Sequence, residues 1–271
     1  MISTELTDVM VNGVTGGLGR VVAEALHEDS RYNVIPYSIG REAREWDLLG
    51  LEFRIITADD FEDNPRGLTR KKFVVVDASN LSQLDSARIF AANGIPTLQL
   101  GTTGYDTEEV ERGLKRLAKA SRKSRFHLLR CMNAAIPVIS FINNLKGIGE
   151  ANPRAFSGCT AHVAESHQAS KQSVPATAKK IKRALTAAGA EVDEIESIRD
   201  PKVQLEEWGV PEEYLDGHGY HRVSVEGECQ SLGLTTKIDG RVPYAEGVRD
   251  LVLPKLIYMV QHTRAVLDEY Q

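Results

Sequence analysis

A chain of 271 residues, 42% hydrophobic and 26% charged, is long enough for one large domain or two modest ones, each with a proper core. Its net charge of -5 excludes a nucleic-acid binder that works by phosphate neutralisation, and no apolar run approaches membrane-spanning length. Three widely spaced cysteines, Cys131, Cys159 and Cys229, exclude a disulfide framework and a CxxC metal signature. The start MISTELTD is too polar for a signal peptide, so the expectation is a cytoplasmic enzyme, with organelle import of a longer precursor left open.

In chain order, Asp8 to Asn12 reads as a short apolar strand. GVTGGLGR follows from Gly13 to Arg20 and leads into the helical pattern Val21, Val22, Ala25 and Leu26. Strand, glycine turn and helix is the context of a dinucleotide fingerprint, although any tight strand-to-helix turn favours glycine. Gly13 would make the turn, Gly16 would admit a pyrophosphate, and Gly19 would pack helix on sheet. The cofactor candidates here are Gly13, Thr15, Gly16, Gly17, Leu18 and Gly19, at a helix start with its open amides. A second strand, Asn33 to Tyr37, ends in Ser38, Ile39, Gly40 and Arg41, where an acid for the ribose would suit NAD. A hydroxyl at Ser38 and a guanidinium at Arg41 suit a 2′-phosphate, so NADPH is favoured, while Glu42 keeps NADH open.

Glu52 to Ile56 and the buried run FVVVD, Phe73 to Asp77, continue an alternation of strands and helices. A helix from Ser82 to Asn93 stops at Asn-Gly, and Thr97 to Leu100 is a strand running into GTTGY. A charged helix follows, roughly Thr107 to Lys123. GTTG is either a plain turn or, at a carboxyl strand edge, a contact for nicotinamide or substrate through Gly101, Thr102 and Thr103. After a strand at Phe126 to Leu129, Asn133 opens an apolar helix as N-cap or hinge and marks a domain boundary.

The densest chemistry lies in AHVAESHQASKQSVPATA, Ala161 to Ala178, which holds Glu165, His167, Ser170, Lys171, Ser173 and Thr177 without a hydrophobic period. On a helical or tightly coiled backbone, His167 and Lys171 share a face, and a substrate carboxylate could bridge them. A solvated polar loop with an incidental pair is the other reading of that spacing. Cys159 to Ala164 reads as a strand and Thr177 to Ala188 as a helix. Gly219 to Val225 with Gln230 to Ile238 reads as an antiparallel pair, and Tyr244 to Glu269 as a final helix. His218 and His221 lack further ligands at suitable spacing, so no metal is expected.

These residues carry a resemblance. GVTGGLGR, GTTG at Gly101 to Gly104, Asn133 and ESHQASK at Glu165 to Lys171 resemble the 4-hydroxy-tetrahydrodipicolinate (dihydrodipicolinate) reductase family. ESHQ, RDPKVQLEEWGVPEEYLDGHGYH from Arg199 and RVPYAEGV from Arg241 resemble its plant-type branch. The resemblance implies a Rossmann-type doubly wound parallel sheet at 1-132 and 241-271, with a smaller α+β substrate and oligomerisation domain at 133-240. It implies hydride transfer from a nicotinamide to a cyclic dicarboxylate. His167 would be the acid/base residue and Lys171 the substrate anchor, with Thr177, Thr103, Asn133 and Ser170 as substrate contacts in a homodimer or homotetramer.

The chain departs from the family pattern where Pro175, Ala176 and Thr177 replace an SGT segment that grips a carboxylate. Losing one or two charge-assisted hydrogen bonds there would cost about 1.5 to 3 kcal/mol each. A reductase of another cyclic imine or enamine, and a non-catalytic NADP-binding sensor, are therefore the alternatives. A short-chain dehydrogenase is set aside because no tyrosine has lysine four residues later.

Overall fold

The computed structural model describes residues 6–63, 73–79, 83–101, 112–113, 116–117, 126–171, 175–262 and 267–270. The chain divides into two compact units, one of Met1–Ala134 with Tyr244–Tyr270 and the other of Ala135–Pro243. No helix among the described residues is long and apolar enough to cross a membrane.

The first unit is a doubly wound sheet. Its strands are β1 (Thr7–Asn12), β2 (Tyr32–Ile35), β6 (Phe73–Asp77), β7 (Thr97–Leu100), β8 (Leu128–Cys131) and β14 (Leu267–Tyr270), all parallel, in the order β14-β8-β7-β6-β1-β2. Every residue of β6, β7 and β8 is buried, which is why FVVVD in β6 reads as a continuous apolar run, while β7 and β8 bury the polar side chains of Thr97, Gln99 and Arg130 as well. The strand order reverses between β1 and β6, so the carboxyl ends of those two strands form the crevice where such sheets bind ligands. Polar side chains lock that crevice. Buried Asn12 donates from Nδ2 to Asp77 Oδ1 at 2.9 Å and accepts the Ile39 amide at 2.8 Å, tying β1, β6 and the segment after β2 together.

The expected second strand is in fact two. Pro36 separates β2 from β3 (Tyr37–Ile39), and β3 leaves the main sheet for a three-stranded one with β4 (Arg44–Leu48) and β5 (Leu51–Ile56). Glu52 to Ile56 therefore belongs to a hairpin and not to the doubly wound sheet. Its turn is Leu49-Gly50 with φ +57° and +72°, a pair of left-handed residues in which leucine is rare, so the pair does not read as a hairpin turn.

The final helix also differs from expectation. A helix at Val242–Gly247 passes through a π-helical turn at Val248–Val252 into Leu253–His262, and the chain then forms β14 on the edge of β8. Pro254 explains the wide turn, because its ring would clash with a carbonyl one α-turn back. The open ladder of β8 outweighs the helical preference of the last residues. Asn133 is not a helix cap: the apolar helix runs Ile136–Ala151, its N-cap is Ala135, and Pro137 sits in the first turn. The charged helix at Thr107 to Lys123 falls largely outside the described residues.

The second unit is built on β9 (Thr160–His167), flanked by antiparallel β12 (Gly219–Gly227) and then β13 (Gln230–Ile238). On the other edge of β9, β10 (Glu191–Val192) and β11 (Glu196–Ile198) pair in parallel with its two halves. Helix Ile136–Ala151 packs on helix Ala176–Ala187, which packs on β9; Val138, Ile139, Ile142, Ile181 and Leu185 of the helices and Ala161, Val163, Val223 and Val225 of the sheet are buried. On the opposite face, Trp208, Val210 and Tyr220 form a separate small core with Ala164, Ile198, Val203 and Leu215. The excursion between β11 and β12 thereby covers the His167 end of the sheet.

Asn12→Ala would leave the buried Ile39 amide unpaired and would strip Asp77 Oδ1 of one of its two donors, the Ser79 amide at 3.1 Å being the other. A loss of about 2 to 4 kcal/mol in urea unfolding is expected, against at most about 1 kcal/mol for exposed Asn33→Ala.

Candidate active site

The glycine turn closes the end of β1. Gly13 has φ +80°, and a Cβ there would lie 2.7 Å from backbone atoms of Ser79, so only glycine lets β1 and β6 end side by side. A Cβ on Gly19 would collide with the Gly13 carbonyl, which accounts for the close seating of helix Gly17–His27. Gly16 is the exposed N-cap of that helix and supplies no side-chain cap, so its first-turn amides point to an open crevice. Thr15 and Gly17 are exposed and Leu18 is half-buried. These residues fit a pyrophosphate. Ser38 does something else: its buried hydroxyl accepts the Gly13 amide at 3.0 Å and so builds the turn, whereas Arg41 stands exposed at the strand end. Gly101 is described, at the end of β7, and Thr102 and Thr103 lie outside the described residues.

The second cluster lies at the carboxyl end of β9. His167 and Glu165 are two apart on a strand, not on a helix, and so project from the same face. Glu165 has no exposed side-chain surface, and its Oε2 accepts from His167 Nδ1 at 2.7 Å. Arg199, just past β11, forks onto the same carboxylate, with Nη2 to Oε1 at 2.6 Å and Nη1 to Oε2 at 3.0 Å. A third donor, Nε, reaches the Lys171 carbonyl at 2.8 Å. The backbone is held as well. Gln204 donates to the His167 carbonyl at 2.7 Å, and Ser166 Oγ lies 2.8 Å from His218 Nε2, whose Nδ1 meets the Tyr214 carbonyl at 3.0 Å. Three successive residues of β9 are thus gripped by the excursion that follows β11.

Charge sets the protonation states. Burial pushes Glu165 up, but hydrogen bonds from His167, Arg199 and Ser197 outweigh it and hold the carboxyl down at about 2. An ionised carboxylate can only accept, so the His167 proton sits on Nδ1 and its Nε2 remains for other chemistry. Burial holds His167 below the ordinary imidazole value, with Glu165 opposing and Lys171 and Arg199 reinforcing. Burial likewise depresses Lys171, and its ammonium makes no hydrogen bond or ion pair with the described residues. His221 packs edge-on against His167 at 5.6 Å and is pushed down to about 3 by burial, which makes it a neutral wall.

Of the other expected contacts, Ser170 is exposed in the turn that carries Lys171, and Thr177 is buried in the first turn of helix Ala176–Ala187. Pro175 is the N-cap of that helix, a position whose own amide lies outside the helical ladder, so proline there removes no helical hydrogen bond. Asn133 belongs to the first unit, at the end of its Met1–Ala134 segment, whereas the β9 cluster belongs to the second. Glu165 stood in the sequence segment without a role, and Arg199, Gln204, His218 and His221 had none either. The signal that could have found Glu165 was its two-residue spacing from His167 on a strand. No metal-holding group of His, Cys, Asp or Glu occurs among the described residues.

One unit with a doubly wound sheet and a ligand crevice, and an α+β unit carrying a carboxylate-paired histidine and a half-buried lysine, are the parts of a two-unit oxidoreductase. No family profile matches the chain. Two Arabidopsis thaliana proteins do: 4-hydroxy-tetrahydrodipicolinate reductase 1, chloroplastic, is 30% identical over 261 residues, spanning 90% of this chain and 71% of that protein. Reductase 2, chloroplastic, is 32% identical over 255 residues, spanning 90% and 70%. Among solved structures, a dipicolinate-bound dihydrodipicolinate reductase from a Paenisporosarcina species superposes with TM-score 0.63 at 14% identity, covering 98% of both chains. Scyllo-inositol dehydrogenase from Lactobacillus casei gives 0.54 at 10% identity over 98% of this chain and 91% of that one. The chain belongs to the 4-hydroxy-tetrahydrodipicolinate reductase family, and it is an oxidoreductase.

The buried charges make stability acid-sensitive. Glu165 titrates lower folded than unfolded, so its contribution is complete above about pH 4.5 and is lost as pH falls towards 2. His221 acts in the same direction, because the unfolded imidazole takes up its proton first as pH drops from 6.5 towards 3. The urea midpoint should therefore fall steeply on acidification, and Glu165→Gln should lose the part of that slope below pH 4.5. An unaltered slope in the variant would mean that the folded carboxyl is not ionised.

Proposed function

We propose that this chain reduces 4-hydroxy-tetrahydrodipicolinate with NADPH as the preferred donor and NADH as a weaker one. In this reading His167 is the proton donor and Lys171 the anchor for a substrate carboxylate. The observation that supports it most is the pairing of a histidine whose Nδ1 is committed to Glu165 with a half-buried ammonium that has no hydrogen-bond or ion-pair partner among the described residues. The nicotinamide cofactor supplies the hydride, and Gly13, Gly16, Gly17 and Gly19 would hold its pyrophosphate at the helix start. Arg41 is the cation placed for a 2′-phosphate.

The protein's own part is charge placement. A dicarboxylate entering the cluster would find Lys171 already desolvated, so little solvent reorganisation opposes the ion pair. His167 in its imidazolium form would give up the Nε2 proton as the hydride arrives and return to the neutral state with Nδ1–H still on Glu165. Burial makes that imidazolium a stronger acid than free histidine, and the incoming anion would raise its population.

The altered SGT segment favours a second reading, a reductase of another cyclic imine with the same two residues in the same roles.

With NADPH and freshly generated 4-hydroxy-tetrahydrodipicolinate, His167→Gln should lower kcat by about 100-fold or more, and Lys171→Ala should chiefly raise KM. Tight NADPH binding without turnover by the unmodified protein would shift the assignment to the other imine.

A further inference from the structure

Arg199 stands between the two residues that the proposed function uses. Four hydrogen bonds fix its guanidinium: two to the Glu165 carboxylate, one to the Ile198 carbonyl and one to the Lys171 carbonyl. A single planar group thus sets both the carboxylate that holds the His167 ring and the turn from which Lys171 projects. The groups facing His167 are unequal in sign. Lys171 and Arg199 are cations, and His221 on β12 and His218, stacked at 6.5 Å, are both depressed below the ordinary histidine range by burial. Glu165 is the one anion among the described groups that acts on the ring.

We propose that Glu165 and Arg199 are positioning residues for the proton transfer. Glu165 keeps the His167 proton on Nδ1 and turns Nε2 to the substrate, while Arg199 holds Glu165 and the Lys171 turn as one rigid piece. This inference rests on the assignment of His167 and Lys171 as acid and anchor. It gives the segment beginning RDPKVQ a purpose: the excursion between β11 and β12 buttresses the strand end that carries the acid. Without Glu165, the ring would face only cations, neutral imidazoles and burial, and its acid form would become scarcer.

The test combines a spectroscopic and a kinetic readout on the full chain. In 15N-histidine spectra, with the His167 signals assigned by their loss in His167→Gln, the neutral ring of the wild type should carry its proton on Nδ1. Glu165→Gln should lower the pKa of that ring by about one unit or more and move the high-pH limb of kcat down by the same amount, with a smaller change in KM. Arg199→Lys, which cannot fork onto a carboxylate and reach the Lys171 carbonyl together, should lower kcat and also raise KM. Should Glu165→Gln fail to fold, Glu165→Asp, which keeps the charge but draws it back from Nδ1, should shift the same limb in the same direction by less. A wild-type ring protonated on Nε2, or an unmoved titration in the Glu165 variants, would overturn the inference. Inactivity of the wild type towards this substrate would instead count against the proposed function, and the spectra would still decide the positioning pair.

Discussion

A carboxylate without exposed surface, at the end of the central strand of its unit, is the constraint on which the second unit depends. Glu165 stays ionised there because Arg199 gives it two hydrogen bonds, His167 a third, and Ser197 adds to them. Removing either partner would leave a buried charge uncompensated, so the strand, the excursion and the turn of Lys171 are held to one arrangement. Stability and function meet at the same atoms: the pair that anchors the fold also fixes which nitrogen of His167 faces outward.

The first unit shows the same principle, a buried polar network that fixes strand ends. Asn12, Asp77 and Ser38 pin the ends of β1 and β6 and the Gly13 amide, so the crevice at the reversal of strand order is polar, closed to packing and preformed. Glycine is required at Gly13 by a left-handed backbone against Ser79 and at Gly19 by contact with the turn itself. The shape of the turn is a consequence of main-chain packing and of the Asn12, Asp77 and Ser38 side chains, with Arg41 exposed at the strand end.

Local pattern was a poor guide wherever an element's partner lay far away in the chain. The last residues read as helix because their neighbours are helical, yet the unpaired edge of β8 draws them into a strand. The hairpin of β4 and β5 turns on a left-handed leucine, a choice no turn preference would suggest. Asn133 looked like a cap because it precedes an apolar run, but the helix starts after Ala135, where Pro137 fits the first turn.

The sequence by itself determined the doubly wound class, the glycine turn and the family, and it singled out His167 and Lys171 as candidates, because each is written in residue types at short spacing. Only the tertiary structure decided how that histidine is held. Glu165 and Arg199 are thirty-four residues apart and meet through the pairing of β9 with β11, so no window of sequence contains the bond. The Glu165–His167 pair was missed for the same reason. A strand places side chains two apart on one side, and whether the segment is strand or helix depends on β12 lying alongside it.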